Sequence, residues 1–381
     1  MIDSSSIDDL ITAMDVWHLS IPVVSRRDHG IGSVAGEIDI VIVRLTSSRG
    51  LEGFGEASPW PVFTGTAEAN FAALDRYLRP HIVGSRLGDW RDTMSVAQLA
   101  VVHCQEAKAA LETAFLDLAG KTLEQPAWAL LGVKCRDNIP LSVSLANPNF
   151  EEDLALVERL VEDEIGIVKI KTGFDIHAFD MMRLTELRKR FPNLDIRVDY
   201  NQGLSVDEAL GRVQDIDSLQ PTFIEQPVRA HEYDCMAALR EGTRAPLLAD
   251  ESVFGPEDLV RATRERICDG VSIKIMKSGG LERGLAVSSG ASQAGLPAYG
   301  GDMFESGIAH LGGTHMTAVA PNISLGCEFY HANYYLQEDV LAQPFPIEHG
   351  QVVVPDAPGL GVEVSLEKIE RYAVQRKLSG E

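Results

Sequence analysis

Seven ionisable residues recur at a nearly constant spacing through the second half of the chain. They are Lys171, Asp199, Glu225, Asp250, Lys274, Asp302 and Glu328, and the successive separations are 28, 26, 25, 24, 28 and 26 residues. Each closes or nearly closes a short apolar run, so the pattern predicts one charged side chain per strand–helix unit. If the runs are strands of one barrel, these side chains meet at the mouth where barrel enzymes carry out their chemistry.

Three consecutive members of this series are carboxylates that suit a divalent cation. Asp199, Glu225 and Asp250 would converge from neighbouring strands, and three like charges so close together cannot all stay ionised without a cation. A few hard oxygen ligands with open positions favour Mg²⁺, with Mn²⁺ as a substitute, over Zn²⁺ or Ca²⁺. The alternative is that the three acids form unrelated ion pairs with Lys or Arg, which would leave the spacing a coincidence.

Two lysines flank these acids and are candidates for proton transfer. Lys171 and Lys274 belong to the second and sixth runs, which lie on opposite sides of an eight-stranded ring. A Lys near a divalent cation and a second Lys, such as Lys169, is more easily deprotonated and can then remove a proton. The proton would come from a carbon next to a carboxylate, because the resulting enediolate needs a divalent cation to be tolerable. A single barrel Lys would as readily be a surface or Schiff-base residue, but the pair with the acids favours the enediolate.

The elements that must position these residues alternate between apolar runs and helical patterns from about residue 140 onward. The eight runs are LSVSLA, IVKIKTG, IRVDYNQG, TFIEQPV, LLADES, VSIKIMK, PAYGGDM and ISLGCEF. Eight strands separated by helices predict an α/β chain with a closed barrel. Upstream, β-like stretches at 13–24 and 38–46 and helical patterns at 66–82 and 106–131 predict a small α+β unit, to which residues 345–381 return.

Composition restricts the partners. The 381 residues carry 34 Lys and Arg against 56 Asp and Glu, a net charge of −22, which repels nucleic acid and anionic membrane surfaces. The five cysteines include no C-x-x-C pair, so we expect neither a zinc site nor a disulfide framework. The acidic N-terminus is unlike a secretory signal, and no apolar run approaches the roughly 20 residues of a membrane span. These features predict a cytoplasmic protein.

Seven motifs in this order resemble the enolase superfamily, and within it the muconate lactonizing enzyme (muconate cycloisomerase) subgroup, over essentially the whole chain. They are VKIKTG, RVDYNQG, FIEQPV, LLADES, SIKIMKSGG, YGGDMFESGIAH and PDAPGLGV. The resemblance implies a modified (β/α)7β TIM-like barrel at residues 136–344 and an α+β capping domain at 1–135, joined by 345–381. It also implies a divalent metal, usually Mg²⁺, a small carboxylate substrate, and a homo-oligomer, either a dimer or an octamer.

By position in these motifs, the resemblance also assigns roles. Asp199, Glu225 and Asp250 look like the metal ligands, and Lys171 and Lys274 look like the acid/base pair. Lys169 would contact the substrate carboxylate. Further site-lining positions are Asn201, Glu251 and Glu305. Lys277 fits the base less well than Lys274 because it leads into the SGG turn. The Lys at the end of strand six argues against the mandelate racemase branch, which uses a His paired with an Asp, and His310 and His315 are interpreted as core or capping residues.

Two loops of the capping domain should set the substrate. They correspond to residues 23–33 and 58–66. Arg26, Arg27 and His29 would meet a distal carboxylate, and Trp60 and Phe63 would close over an apolar part. The alternative is that the loop arginines are merely solvated.

Three functions remain open on the sequence. The first is a muconate-type cycloisomerase. The second is a racemase or epimerase of N-acyl amino acids or dipeptides, or an enzyme like o-succinylbenzoate synthase. Dipeptide epimerases typically carry an Asp-x-Asp after strand eight, and CEFYHANYY lacks that pair. The third, of a different class, is a metabolite-binding barrel without turnover.

Overall fold

A computed structural model describes residues 2–380, and of residues 331 and 332 it describes the backbone alone. The first third is an antiparallel sheet covered by helices. Its strands are Ile11–Pro22 (β1), Arg27–His29 (β2), Gly32–Val34 (β3), Glu37–Ser47 (β4) and Glu52–Ala57 (β5). Its helices are Ala67–Ala72 (α1), a π-helical turn Ala73–Leu78, Arg79–Ile82 (α2), a 3-10 turn Leu87–Asp89, Trp90–Ala100 (α3), Gln105–Leu123 (α4) and Ala127–Leu131 (α5). The apolar run of β4 pairs with β1 and β5, whereas β2 and β3 form a separate hairpin.

The helical pattern at 106–131 is two helices rather than one. The first, α4, ends at Leu123, and the next residue, Glu124, adopts the left-handed conformation with φ of 54°. Pro126 follows two residues later and disfavours a helical conformation for the residue before it. The prediction of one long helix was wrong because its apolar periodicity runs on through this break.

The rest of the chain forms the barrel. After the short strand Asn138–Pro140 (β6) come eight parallel strands: Ser142–Leu145 (β7), Ile167–Lys171 (β8), Asp195–Asp199 (β9), Ile224–Glu225 (β10), Leu247–Ala249 (β11), Gly270–Ile273 (β12), Ala298–Gly300 (β13) and Ile323–Cys327 (β14). The helices are Phe150–Glu162 (α6), His177–Arg190 (α7), Val206–Asp217 (α8), Tyr233–Gly242 (α9), Pro256–Glu265 (α10), Ile275–Ser278 (α11), Leu281–Gln293 (α12), Gly307–Ala318 (α13) and His331–Tyr334 (α14).

The eight strands pair in sequence order, and a parallel bridge between Leu141 and Cys327 joins the two ends of the sheet. Each of the first seven strands is followed by a helix that leads to the next strand, whereas the eighth closes the ring and is followed only by the short α14. This confirms the predicted (β/α)7β barrel with an N-terminal α+β unit. Inside the ring, Phe223, Leu248 and Tyr299 pack together below the carboxyl ends of the strands.

The C-terminal segment connects both parts of the molecule. Ile347–Glu348 (β15) and Gln351–Val353 (β16) form a small sheet with β6, and Leu366–Tyr372 (α15) leads into Ala373–Lys377 (β17). β17 pairs antiparallel with β1, so the end of the chain completes the N-terminal sheet. No helix in the described part of the chain is long and apolar enough to span a bilayer.

Candidate active site at the barrel mouth

The regularly spaced charged residues lie at one end of the barrel. Lys171, Asp199 and Glu225 are the last residues of β8, β9 and β10, and Asp250 and Lys274 directly follow β11 and β12. Because parallel strands in a barrel end at the same rim, the spacing in sequence becomes a ring in space. All five side chains are buried.

Each of the two predicted acid/base lysines contacts a different acid. Lys171 Nζ lies 2.7 Å from Asp199 Oδ2, and Lys274 Nζ lies 2.7 Å from Asp250 Oδ2. Burial alone would lower the pKa of Lys274, but Asp250 and Glu251 raise it above its ordinary value. An easily deprotonated Lys was predicted beside a bound divalent cation and a second Lys, and this stays a prediction.

Lys169 lies deeper and joins three carboxylates. Its Nζ is 2.6 Å from Glu328 Oε2, 2.9 Å from Glu225 Oε2 and 3.2 Å from Asp199 Oδ2, and all four side chains are buried. The Lys169 ammonium also lies 5.1 Å from the centre of the Tyr299 ring. A positive charge thus stands among the acids that the sequence assigned to a cation.

The donor set of these acids fits a hard divalent cation. Burial raises the pKa of Glu225 to about 7, with Lys169 opposing and the charges of Asp199 and Asp250 adding to the rise. Glu225 Oε1 is buried and has no hydrogen-bond partner among the described residues. A buried carboxylate oxygen without a hydrogen-bond partner, close to other acids, favours an additional cation.

Among residues 2–380, however, no three His, Cys, Asp or Glu side chains stand in a metal-ligating group. The carboxylates instead turn toward the Lys ammonium groups. A fourth cation belongs to this arrangement, because Lys277 Nζ lies 2.7 Å from Asp250 Oδ1 and also donates to the carbonyl oxygens of Asp250 and Ser272.

A cavity opens directly above this ring. Of the predicted site residues, it brings together Lys171, Lys274, Asn201, Glu251, His29, Trp60 and Phe63. It adds five others, namely Ser144, Asp302, Met303, Phe304 and Tyr330. The lining therefore combines charged side chains next to the predicted cation site with an aromatic wall.

The aromatic wall is built from both parts of the molecule. The rings of His29, Trp60 and Phe304 meet edge to face, with centroids 5.1 to 5.4 Å apart. Burial lowers the pKa of His29 well below its ordinary value, and the positive charges of Lys171 and Arg27 lower it further. Both effects favour the neutral imidazole, and the contact of His29 with a distal carboxylate stays a prediction.

The two loop arginines do not line the cavity. Arg26 is exposed and pairs with Asp28 at 2.8 Å. Arg27 is buried, and its Nη2 donates to the carbonyl of Ser144 at 2.8 Å and to the Tyr330 hydroxyl at 2.9 Å. The Arg26 guanidinium thus makes a surface ion pair and the Arg27 guanidinium makes internal contacts, and the contact of either with substrate stays a prediction.

The other assigned residues divide between the cavity and its surroundings. Asn201 Nδ2 donates to Glu251 Oε1 at 3.3 Å, and both side chains face the cavity. Glu305 is buried behind the cavity wall and accepts a hydrogen bond from the backbone of Met303 at 3.0 Å. Its imidazole neighbour His310 lies 3.3 Å from Asp302 Oδ2.

His315 joins the two parts of the molecule. Its ring nitrogens meet the amide of Trp128 at 3.3 Å and the carbonyl of Leu360 at 3.1 Å, in a fully buried position. This is the core role that the sequence predicted for it.

Two family models cover most of the chain. The N-terminal domain of the mandelate racemase / muconate lactonizing enzyme family matches residues 9–132, and the enolase C-terminal domain-like family matches residues 152–369. The chain belongs to the enolase superfamily. Together with the relatives described next, these matches place it in the muconate lactonizing enzyme subgroup, and it is an enzyme of this superfamily rather than a binding barrel.

Relatives within the superfamily carry more than one activity. A crystal structure of a muconate cycloisomerase from Azorhizobium caulinodans is 39% identical, with a TM-score of 0.83 over 97% of this chain and 99% of that one. Muconate lactonizing enzyme from Pseudomonas fluorescens, crystallised with muconolactone, is 26% identical with a TM-score of 0.92, over 96% of this chain and 100% of that one. An L-Ala-D/L-Glu epimerase from Clostridium acetobutylicum is 28% identical over 93% of this chain and 99% of its own length.

Several residues that line this enolase-superfamily cavity or lie beneath it had no site role predicted from the sequence. Asp302 and Glu328 belong to the charged series but were not assigned, although their spacing marks them as strand-end residues. Phe304 and Tyr330 lie a few residues after strands seven and eight. Counting the residues just beyond each strand end as site candidates would have included both. Ser144 lies within the first run and carried no signal, since its contacts come from distant parts of the chain.

Proposed function

We propose that this protein is a divalent-cation-dependent isomerase that transfers a proton at a carbon next to a carboxylate, and that its reaction is a muconate-type cycloisomerisation. The observation that supports this most directly is the cavity shared by Lys171 and Lys274, in which each Lys stands 2.7 Å from a different predicted metal ligand. Proton donors and acceptors thus adjoin the position where a carboxylate would be held.

Asp199, Glu225 and Asp250 are the residues that would hold the cation. A bound Mg²⁺ or Mn²⁺ supplies the positive charge that an enediolate needs. Lys169 is placed to add to that charge through its contacts with Asp199 and Glu225.

The proposed cycloisomerisation starts from an unsaturated dicarboxylate. One carboxylate is held, and an oxygen of the other carboxylate attacks the carbon β to the held carboxylate. The electron pair of the double bond then moves to the carbon α to the held carboxylate. A Lys ammonium then gives its proton to that α carbon, which leaves a lactone and a neutral Lys. The reverse direction removes the same proton from the lactone acid, and only one Lys carries it.

A racemase or epimerase is the second candidate, and the equivalence of the two lysines favours it. Both line the same cavity and both stand 2.7 Å from a carboxylate, as a pair of bases that serve opposite faces of a planar intermediate would. The substrate would then be an N-acyl amino acid or a dipeptide.

Single substitutions of the two lysines separate the candidates. Muconates, their lactones, N-acyl amino acids and dipeptides are first screened for Mg²⁺-dependent turnover, and Lys171→Met and Lys274→Met are then assayed for α-proton exchange in deuterated water. For the cycloisomerase we expect one variant to lose exchange by at least about 10²-fold. If each variant loses exchange with only one enantiomer of an amino acid derivative, the cycloisomerase proposal fails and the racemase stands.

A further inference from the structure

The hairpin of β2 and β3 lies on the barrel mouth, and its first residue is a buried arginine. The backbone amide of Asp28 donates to the carbonyl of Ala146 at 2.8 Å, and His29 Nδ1 lies 3.3 Å from Asn201 Oδ1. Gly30 meets the loop after β9 so closely that a Cβ would lie 2.1 Å from the Tyr200 carbonyl oxygen. The hairpin is therefore docked on the barrel through three consecutive residues beyond Arg27.

The buried guanidinium of Arg27 makes its hydrogen bonds to neutral groups. They go to a carbonyl and a phenol, and the guanidinium carbon lies 5.1 Å from the centre of the Tyr335 ring and 5.8 Å from that of Tyr330. Nε has no hydrogen-bond partner among the described residues. Burial disfavours the charged form, whereas the charges of Asp153 and Asp302 favour it. An apolar side chain would avoid the desolvation of a guanidinium but could not donate to a backbone carbonyl, so the guanidinium is the group that ties the hairpin to the barrel.

A continuous set of buried contacts leads from Arg27 to the predicted metal ligands. Arg27 binds the carbonyl of Ser144, and the Ser144 hydroxyl donates to Glu328 Oε1 in a short hydrogen bond. The other oxygen of Glu328 is 2.6 Å from Lys169 Nζ, which contacts Glu225 and Asp199. Every side chain in this set is buried, so its contacts are not exchanged for water.

We propose that Arg27 is a positioning residue that couples docking of the β2–β3 hairpin to the placement of Lys169 and hence of the acids that hold the cation. With the hairpin docked, Arg27 fixes the end of β7 and Tyr330, and Ser144 in turn fixes Glu328. With the hairpin lifted, Ser144 and Glu328 lose that support, and the acids no longer converge. The inference rests on the proposed cation site but not on the identity of the substrate.

The first test compares Arg27→Met with Arg26→Met, the exposed neighbour that serves as the matched control. Hydrogen exchange measured by mass spectrometry over residues 24–34 reports hairpin docking, and calorimetry with Mg²⁺ alone reports the cation site. We expect Arg27→Met to speed exchange of the hairpin and to weaken Mg²⁺ binding by about 10-fold or more, a typical effect of changing a residue that supports metal ligands. Arg26→Met should match the wild type in both.

The second test runs the coupling in the opposite direction, since coupling between two sites is reciprocal. Glu328→Gln keeps the shape of the side chain and removes the charge that Lys169 contacts, and it should speed exchange of residues 24–34 although it touches none of them. The proposal is overturned if Arg27→Met loosens the hairpin at unchanged Mg²⁺ affinity, or if Glu328→Gln leaves hairpin exchange as in the wild type.

Arg27→Met could also fail to fold, which would raise hydrogen exchange throughout the chain. In that case Tyr330→Phe, which removes one hydrogen bond to Arg27 and keeps the ring, replaces it in the measurements of hairpin exchange and of Mg²⁺ affinity. If the wild type binds no Mg²⁺, the proposed function fails, and hairpin exchange in Glu328→Gln alone decides whether the coupling exists.

Discussion

The pKa values of buried acids in this protein depend on burial and on the charges of neighbouring side chains. Burial would raise the pKa of Asp199, but Lys171 and Lys169 lower it to about 2. At Glu225, where Lys169 opposes burial and three other acids are near, the pKa rises to about 7. Residues of one chemical type thus behave differently because of the contacts that the fold provides.

Glu112 offers a test of this at a position away from the catalytic cavity. This buried residue of α4 accepts a hydrogen bond from the amide of Glu282 at 2.7 Å, in the first turn of α12. Burial raises the pKa of Glu112 from 4.5 to about 8, and the charge of Glu282 adds to the rise. The folded state therefore binds a proton that the unfolded state has released between these values, so stability falls as pH rises from about 4.5 to 8.

We expect Glu112→Gln to match the wild type near pH 4.5 and to be more stable by on the order of 4 kcal/mol at pH 8, because one pKa unit corresponds to about 1.4 kcal/mol. Urea unfolding at several pH values measures the difference. The exposed Glu68→Gln is the control and should show no gain that grows with pH. A gain of equal size at all pH values would mean that Glu112 does not titrate in the folded protein.

At the scale of elements, the β2–β3 hairpin packs against the loop after β9 at backbone contact distance. A Cβ on Gly30 would lie 2.1 Å from the Tyr200 carbonyl oxygen and 2.6 Å from the Gly203 Cα, both of which are backbone atoms. A Cβ on Gly32 would lie 3.3 Å from a methyl group of Val62, whose side chain can move. The same hairpin therefore contains one glycine required by close approach and one that is not.

Gly30→Ala should lift the hairpin from the barrel while the barrel itself remains folded. We expect faster hydrogen exchange at residues 24–34 and a fall in kcat/KM of about 10-fold, because His29 leaves the cavity and water enters. Gly32→Ala should change both by less than about 2-fold. If Gly30→Ala keeps wild-type exchange and activity, the loop after β9 can shift to accommodate the Cβ. The close approach at Gly30 is then not required for docking of the hairpin.

At the scale of the whole molecule, the two ends of the chain lie in one sheet. β17 pairs with β1 from Val16 to Leu19, and Ser379 contacts both Met14 and Asp15. Most of β17 is half-buried or exposed, so its contribution comes from backbone hydrogen bonds more than from apolar burial. Without it, β1 would become an unprotected edge strand.

Truncation after Tyr372 should therefore lower Tm by roughly a few °C and promote association through β1. Thermal unfolding and light scattering measure the two effects, and a truncation after Ser379 is the control. Exchange within the barrel strands should stay as in the wild type below Tm. An unchanged Tm would place the stability of the N-terminal sheet in its packing against α4 instead.

The sequence by itself determined the barrel and the identity of its charged rim. Short apolar runs that alternate with helical patterns are typical of strands in a covered parallel sheet, and their regular spacing brings one residue from each to a common edge. This is why Lys171, Asp199, Glu225, Asp250 and Lys274 could be named before their contacts were known. The break after α4 escaped prediction because a single left-handed residue, Glu124, leaves the apolar periodicity intact.

Only the tertiary structure decided which residues face the cavity and which support it. Arg27 and Trp60 belong to loops that sequence treats alike, yet one is buried against Ser144 and Tyr330 and the other lines the cavity. Glu328 and Asp302 carried the same spacing signal, but Glu328 binds Lys169 beneath the cavity whereas Asp302 lines it. The physical reason is that the partners of these side chains come from segments more than a hundred residues apart in sequence. The local periodicity of apolar residues depends only on neighbouring positions and cannot predict such contacts.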